Sequence, residues 1–125
     1  MQLPAESTLL RIFLGESDRR DSRPLYEVIV LAAREAHLAG ATVLRGAIGF
    51  GASSRLHTSK ILRLSADLPL VIEIVDREAA ITAFLPVLER LMDGRGGLVT
   101  VETVRVLHYR GAADAAAGDV STPSS

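Results

Sequence analysis

The sequence has no cysteine and no tryptophan, and its aromatic fraction is only 4%. The absence of cysteine excludes disulfide bonds and any metal or redox site that uses a thiolate. A chain without disulfides fits a reducing compartment, so we expect a cytoplasmic location. Because 48% of the residues are hydrophobic and few are aromatic, the core must consist of Leu, Ile, Val and Ala.

A strong excess of one charge and a long apolar run are also missing. The formal net charge is −1, which argues against a protein whose main task is to neutralise nucleic-acid phosphates. No apolar run approaches the ~20 residues that a transmembrane helix needs, and the N-terminus lacks the features of a secretory signal. We therefore expect no nucleic-acid partner and no insertion into a membrane.

The 125 residues are enough for one domain. We place this domain at residues 8–110, after an N-terminal extension at residues 1–7. Residues 111–125 are small and polar, and their composition predicts a disordered C-terminal tail that adds nothing to the core.

The first half of the domain predicts a strand, a helix and a second strand. Residues 8–14 form an apolar run typical of a buried strand. A helix should follow, with Asp21 or Ser22 as its N-cap, a proline in its first turn and Gly40 in the left-handed position after its end. Residues 41–48 favour the second strand. The apolar stripe of the helix consists of Leu25, Val28, Ile29, Ala32 and Ala36.

The second half predicts two further strands around a second helix. Apolar character resumes at residues 61–64, and residues 70–75 alternate as a strong strand. Asp76 should cap the second helix, in which Pro86 predicts a bend or a shortened regular part. The apolar stripe of this helix consists of Ile81, Phe84, Leu85, Leu88, Leu91 and Met92. Residues 98–109 alternate as a long final strand.

The resulting β-α-β-β-α-β order predicts a fold of the α+β class. It is typical of the ferredoxin-like arrangement, a four-stranded antiparallel sheet with both helices on one face. The other face of such a sheet is left open, although the strands are apolar on both sides in places. We expect other copies of the chain to cover it.

Four segments of the sequence resemble a known family: LRIFLGESD at residues 10–18, RPLYEVIV at 23–30, GATVLRGAIGFGASSRLHTSKILRLSADLPLVIEIVD at 40–76 and GLVTVETVRVLHY at 97–109. Together they resemble the domain-of-unknown-function one-ninety family over residues 9–109. That family is similar in structure to the PII signalling proteins, ferredoxin-like trimers that bind adenine nucleotides between subunits and contact partners through a flexible loop. The resemblance implies the fold and a homotrimer. By analogy it implies AMP, ADP or ATP as a ligand, with no required cofactor.

Two glycine-rich segments form the candidate ligand site, which the resemblance places at the edge of the cleft. An arginine can clamp a phosphate or a carboxylate, and a glycine-rich turn can present several backbone N–H groups to an anion. The residues alone fit an outward-facing strand arginine and an ordinary helix stop as well. The candidate ligand-binding residues are Arg45, Gly46, Gly49, Gly51, Asp93, Gly94, Arg95, Gly96 and Gly97.

Residues 49–60 occupy the position of the partner-contacting loop of the PII proteins. The segment is polar and contains no acidic residue, which predicts an exposed, mobile loop with cationic groups for phosphate or for the carboxylates of a partner. A solvated hairpin loop fits the same composition. The resemblance implies a protein partner, such as a membrane transporter or an enzyme. The expected partner-contacting residues are Ser53, Ser54, Arg55, His57 and Lys60.

No arrangement of residues predicts catalysis or metal binding. Glu16 and Asp18 lie beside Arg19 and Arg20, which favours salt bridges within the loop over a metal or ribose site. The serines of the 49–60 loop have no buried acid to complete a catalytic triad. Three histidines lack metal-ligand spacing: His37, His57 and His108. We therefore expect no enzyme.

Two other functions fit the predicted fold. RNA-recognition modules share the strand order but stack bases on aromatic residues of the central strands, and here only Phe13 and Tyr109 are available. A structural trimer, or a metal-tolerance protein of similar trimeric architecture, is the other alternative. A cleft filled by a divalent ion would favour it.

Overall fold

The structure, a computed structural model, describes residues 2–50, 56–58 and 68–110. In chain order the elements are β1 (Glu6–Gly15), β2 (Arg19–Arg20), β3 (Arg23–Pro24), α1 (Leu25–Glu35), β4 (Thr42–Arg45), β5 (Ile48–Phe50), β6 (Leu56–Thr58), β7 (Pro69–Asp76), α2 (Glu78–Leu91) and β8 (Leu98–Arg105). Four of the strands form one antiparallel sheet in the order β4-β7-β1-β8. The ferredoxin-like prediction is confirmed.

Both helices pack on the same face of this sheet. In the register between β1 and β7, Leu10 lies opposite Ile74 and Ile12 lies opposite Ile72, so alternation brings these four side chains to one side. They are buried and form one cluster with residues of both helices. The helix residues of the cluster are Leu25, Ile29, Ala33, Ile81, Phe84 and Leu88. The predicted apolar faces of the second helix and of the strand at residues 70–75 are confirmed.

The ends of α1 differ from the prediction. Asp21 and Ser22 form the turn between β2 and β3, where Asp21 has φ = +58°, and no side chain caps the helix. The left-handed residue after the helix is His37, with φ = +63°, rather than Gly40. The N–H of Leu38 then donates to the carbonyl of Ala33 at 3.1 Å. The helix thus ends in a Schellman motif three residues before the glycine.

The sequence suggested that Asp76 caps α2, but its side chain does not do so. Its buried carboxylate accepts hydrogen bonds from the N–H of Ala39 at 2.8 Å and of Arg77 at 2.7 Å. The side chain therefore fastens the connection between α1 and β4 to the end of β7. The helix continues from Glu78 to Leu91 across Pro86, so the expected shortening is wrong.

The last strand and the expected loop at residues 49–60 also differ in part from the prediction. β8 ends at Arg105, and the N–H of Val106 donates to the carbonyl of Ala5 at 2.7 Å, so the strand predicted to reach Tyr109 was too long. The expected 49–60 loop contains part of a short ladder between β5 and β6. The strand expected at residues 61–64 and the tail at 111–125 lie outside the described residues. Neither described helix is long and apolar enough to cross a bilayer.

The sheet face turned away from the helices, here called the open face, mixes exposed apolar residues with a charged cluster. Leu44 and Leu98 lie on it with 49% and 56% exposure. In the neighbouring row of the same face, Arg11 donates through Nε to Glu73 at 2.9 Å and through Nη1 to Glu102 at 2.8 Å. The hydrogen bond to Glu73, aided by the charge of Glu102, raises the pKa of the Arg11 guanidinium. Arg11 therefore keeps its charge at any ordinary pH.

Candidate functional site

Most of the described candidate residues lie at one end of the sheet, here called the loop end, where β1 and β4 finish and β7 and β8 begin. Arg45 is the last residue of β4 and pairs with Leu70. The next residue, Gly46, donates its N–H to the carbonyl of Pro69 at 2.7 Å. A Cβ atom on Gly46 would lie 2.9 Å from the Pro69 ring. The chain thus leaves β4 through a contact with the β7 backbone that a side chain at residue 46 would disturb.

Arg45 forms an ion pair with the carboxylate of Glu16. The Glu16 side chain is only 13% exposed, whereas that of Arg45 is 57% exposed. The N–H of Glu16 donates to the carbonyl of Leu68 at 2.7 Å, and Asp18 accepts a bond from the N–H of Gly15 at 2.9 Å. The expected salt bridge of Glu16 with its loop neighbours is therefore replaced by a pair with β4, beyond the intervening β7.

The glycine-rich turn after α2, residues 93–97, has a backbone that favours glycine. Gly94 has φ = +73° and Gly97 has φ = +144°, in the region where other residues are strained. A Cβ atom on Gly97 would lie 2.5 Å from Cε of Met92 and 3.0 Å from the Phe13 carbonyl oxygen. Within the described part of the chain, the N–H groups of Gly94, Gly96 and Gly97 have no hydrogen-bond partner. Such N–H groups are suited to an anion.

Arginine side chains attach the β2–β3 hairpin to this turn. Arg95 donates through Nη1 to the carbonyl of Asp93 at 2.6 Å and through Nε to the carbonyl of Arg19 at 2.8 Å. Arg20 of the hairpin donates through Nη1 to the carbonyl of Arg90, in the last turn of α2 just before the glycine-rich turn, at 3.2 Å. The sequence predicted a plain loop for the hairpin, because its polar residues carry no strand periodicity. Arg95 therefore braces the turn with two of its donors.

The structure does not bring the two glycine-bearing segments together within one chain. Gly46 continues the edge strand β4, and the turn at residues 93–97 precedes the opposite edge strand, β8. Because β7 and β1 lie between these edges, three strand spacings separate the two backbones, a distance of about 14 Å. The two segments share the loop end but not an edge.

The β5–β6 hairpin contains two further described candidates. Gly49 and His57 are backbone partners in its ladder. Five candidates lie outside the described residues: Gly51, Ser53, Ser54, Arg55 and Lys60. In the described ranges, no three acidic or histidine residues come together as metal ligands would.

A groove that the sequence analysis did not identify lies at the end opposite the loop end. Its volume is about 640 Å³, and it lies between the α1–β4 connection and the chain that follows β8. Thr42, Glu73 and Arg105 supply polar groups to its wall. None of the predicted ligand-binding residues lines it.

The sequence has relatives among proteins known by family. Residues 7–106 match the DUF190 family, described as "Uncharacterized ACR, COG1993". A UPF0166 protein of Aquifex aeolicus is 37% identical over 100 residues, which cover 80% of this chain and 92% of that protein. A UPF0166 protein of Methanocaldococcus jannaschii is 31% identical over 97 residues, which cover 78% of this chain and 89% of the relative.

The fold is similar to that of CPII, a nitrogen regulatory PII-like protein from Thiomonas intermedia K12. The CPII structure bound to ADP, AMP and bicarbonate has a TM-score of 0.65 at 16% identity, covering 82% of this chain and 90% of CPII. The apo form has a TM-score of 0.58 at 16% identity, covering 81% of this chain and 91% of CPII. At 16% identity the comparison with CPII shows only that the fold is shared. The assignment of the chain to a family rests instead on the sequence match over residues 7–106. The chain belongs to the DUF190 family.

Proposed function

We propose that this chain is a PII-like regulator that binds an adenine nucleotide between the subunits of a homotrimer. It acts through binding rather than catalysis. The observation that carries the proposal is the turn at residues 93–97, whose glycines leave three backbone N–H groups without a partner in the described part of the chain. An adenine nucleotide is the proposed ligand because CPII, which has a similar fold, was solved with ADP and AMP.

The separation of the two glycine-bearing segments supports a site between chains. They lie at the same end of the sheet but on opposite edges. In a ring of three copies whose open faces turn inward, the β4 edge of one chain lies near the β8 edge of the next. Arg45 of one copy and the turn at residues 93–97 of its neighbour then line one cleft, where a phosphate takes N–H donors from both.

The β5–β6 hairpin supplies the link to a partner. It leaves the sheet directly after Gly46, so a ligand in the cleft lies next to its base. Ligand binding then changes the order of residues 49–60 and their contact with a protein partner such as a transporter or an enzyme.

Calorimetric titration with AMP, ADP, ATP and cyclic AMP tests nucleotide binding. We expect Gly96→Asp to lower the affinity roughly tenfold or more, because a carboxylate then lies beside the N–H groups that hold the phosphate. The matched control is Gly40→Asp at the other end of the sheet. A Cβ atom meets nothing within 4 Å at either glycine, so both variants should fold. Absence of heat with all four nucleotides would exclude the proposed ligand.

A further inference from the structure

We propose that Glu16 determines how much negative charge the ligand at Arg45 can carry. The inference rests on the proposed function, since it concerns the same cleft. The Glu16 carboxylate forms an ion pair with Arg45, the cationic side chain of the proposed cleft. Its negative charge disfavours ligands with long phosphate chains. The site thereby prefers a nucleotide with few phosphates to one with many.

The carboxylate of Glu16 is largely buried, and the backbone that carries it is held by hydrogen bonds. Its backbone N–H is bound to the carbonyl of Leu68 at 2.7 Å. The turn that carries it is closed by Asp18, which accepts from the N–H of Gly15 and donates its own N–H to the Gly15 carbonyl at 3.2 Å. With 13% of its side chain exposed, Glu16 has little freedom to move away from an incoming anion.

Arg45 is the exposed member of the pair. Its side chain is 57% exposed and projects from the last residue of an edge strand. A guanidinium has five N–H donors, and the ion pair with Glu16 uses Nη2. The donors on Nε and Nη1 have no partner in the described part of the chain, so Arg45 can hold a phosphate and Glu16 together.

A phosphate bound in this way lies close to the Glu16 carboxylate. Two acceptors on one guanidinium are separated by roughly 4–6 Å when each is within hydrogen-bond distance. Like charges at that distance repel, and the repulsion grows with each negative charge on the ligand. The low exposure of Glu16 weakens screening by water and salt. Glu16 therefore opposes ATP more strongly than AMP, although both share the same base and ribose.

Calorimetric affinities for AMP, ADP and ATP test the inference in three variants and the wild type. We expect Glu16→Gln to raise the affinity for ATP roughly three- to tenfold more than that for AMP, because it removes the repelling charge. Glu16→Asp keeps the charge and should keep the wild-type ranking of the three nucleotides. Glu35→Gln removes the same charge at the far end of α1 and should change nothing. Circular dichroism checks that each variant is folded.

The opposite results are equally clear. If Glu16→Gln changes all three affinities by the same factor, or weakens them, Glu16 only orients Arg45 and the inference is overturned. If no nucleotide binds to any variant, the proposed ligand is wrong, and phosphate, pyrophosphate and tripolyphosphate then test Glu16 alone. If Glu16→Gln shifts the ranking of these three anions toward the more highly charged ones, the inference that Glu16 disfavours charge on the ligand is supported. An unchanged ranking, or no binding, rejects it.

Discussion

Gly97 is the described residue at which the backbone most clearly requires glycine. Its φ of +144° strains any residue with a Cβ atom, and that atom would also approach Met92 and the Phe13 carbonyl too closely. We expect Gly97→Ala to lower the free energy of unfolding by about 1–3 kcal/mol. Gly96→Ala is the control, because a Cβ atom there meets nothing within 4 Å. Urea denaturation measures both, and equal stability of the two variants would contradict the strain.

Single polar residues were the least predictable part of the structure. Asp76 ends a strand and lies just before a helix, so its sequence context favours a helix cap, but its carboxylate accepts a hydrogen bond from the N–H of Ala39 in a different connection. Glu16 has two arginines close in sequence, yet it pairs with Arg45. The partners of both side chains are distant in sequence and come close only in the folded sheet. The neighbouring residues in the sequence therefore do not predict these contacts.

Arg11 did carry a usable signal. It interrupts an apolar strand, and Glu73 interrupts the apolar strand that pairs with it. Opposite charges in paired strands tend to face each other. A comparison of the two strands in antiparallel register would have predicted this ion pair, and it would have shown that the open face has a charged centre.

Helix α2 runs from Glu78 to Leu91 with a proline in its interior. Pro86 has no N–H to donate to the carbonyl of Thr82, and it lies on the exposed side of the helix. We expect Pro86→Ala to raise the free energy of unfolding by about 1–3 kcal/mol, because it restores that bond and removes the clash of the ring with the preceding turn.

Thermal and urea unfolding measure this effect. Glu89→Ala, on the exposed side of the same helix, is the control and should change stability little, because glutamate and alanine are both good helix formers. A Pro86→Ala variant no more stable than the wild type would show that the surrounding structure already compensates for the proline.

The elements with strong periodicity were predictable, and those without it were not. α2 and the strand at residues 70–75 bury the apolar stripes that their spacing predicts. α1 buries Leu25 and Ile29 as predicted, but it uses Ala33 in place of the predicted Ala36, which is exposed beyond the end of the helix. The β2–β3 hairpin is polar and is held by arginine contacts to backbone carbonyls, which leave no apolar pattern. The last strand was overextended because the alternation continues to Tyr109, whereas pairing with β1 ends at Arg105.

In the proposed homotrimer the three chains associate through their open faces. Light scattering should give the mass of three chains for the wild type. We expect Leu98→Glu to shift the population toward single chains, because it places a charge in a face that must lose its water. Leu31→Glu is the control, since Leu31 is similarly exposed, at 42%, but lies on α1. Trimers of unchanged strength in Leu98→Glu, or single chains in the wild type, would contradict the assembly.

The Arg11 cluster has one guanidinium and two carboxylates, so it contributes a surplus negative charge to the open face. Copies that meet through this face bring like charges toward each other. Dissolved ions shield such repulsion, with a Debye length of about 3 Å at 1 M ionic strength compared with about 10 Å at 0.1 M. Concentrated sodium chloride should thus tighten the self-association of this protein, whereas an interface held by ion pairs between subunits would loosen.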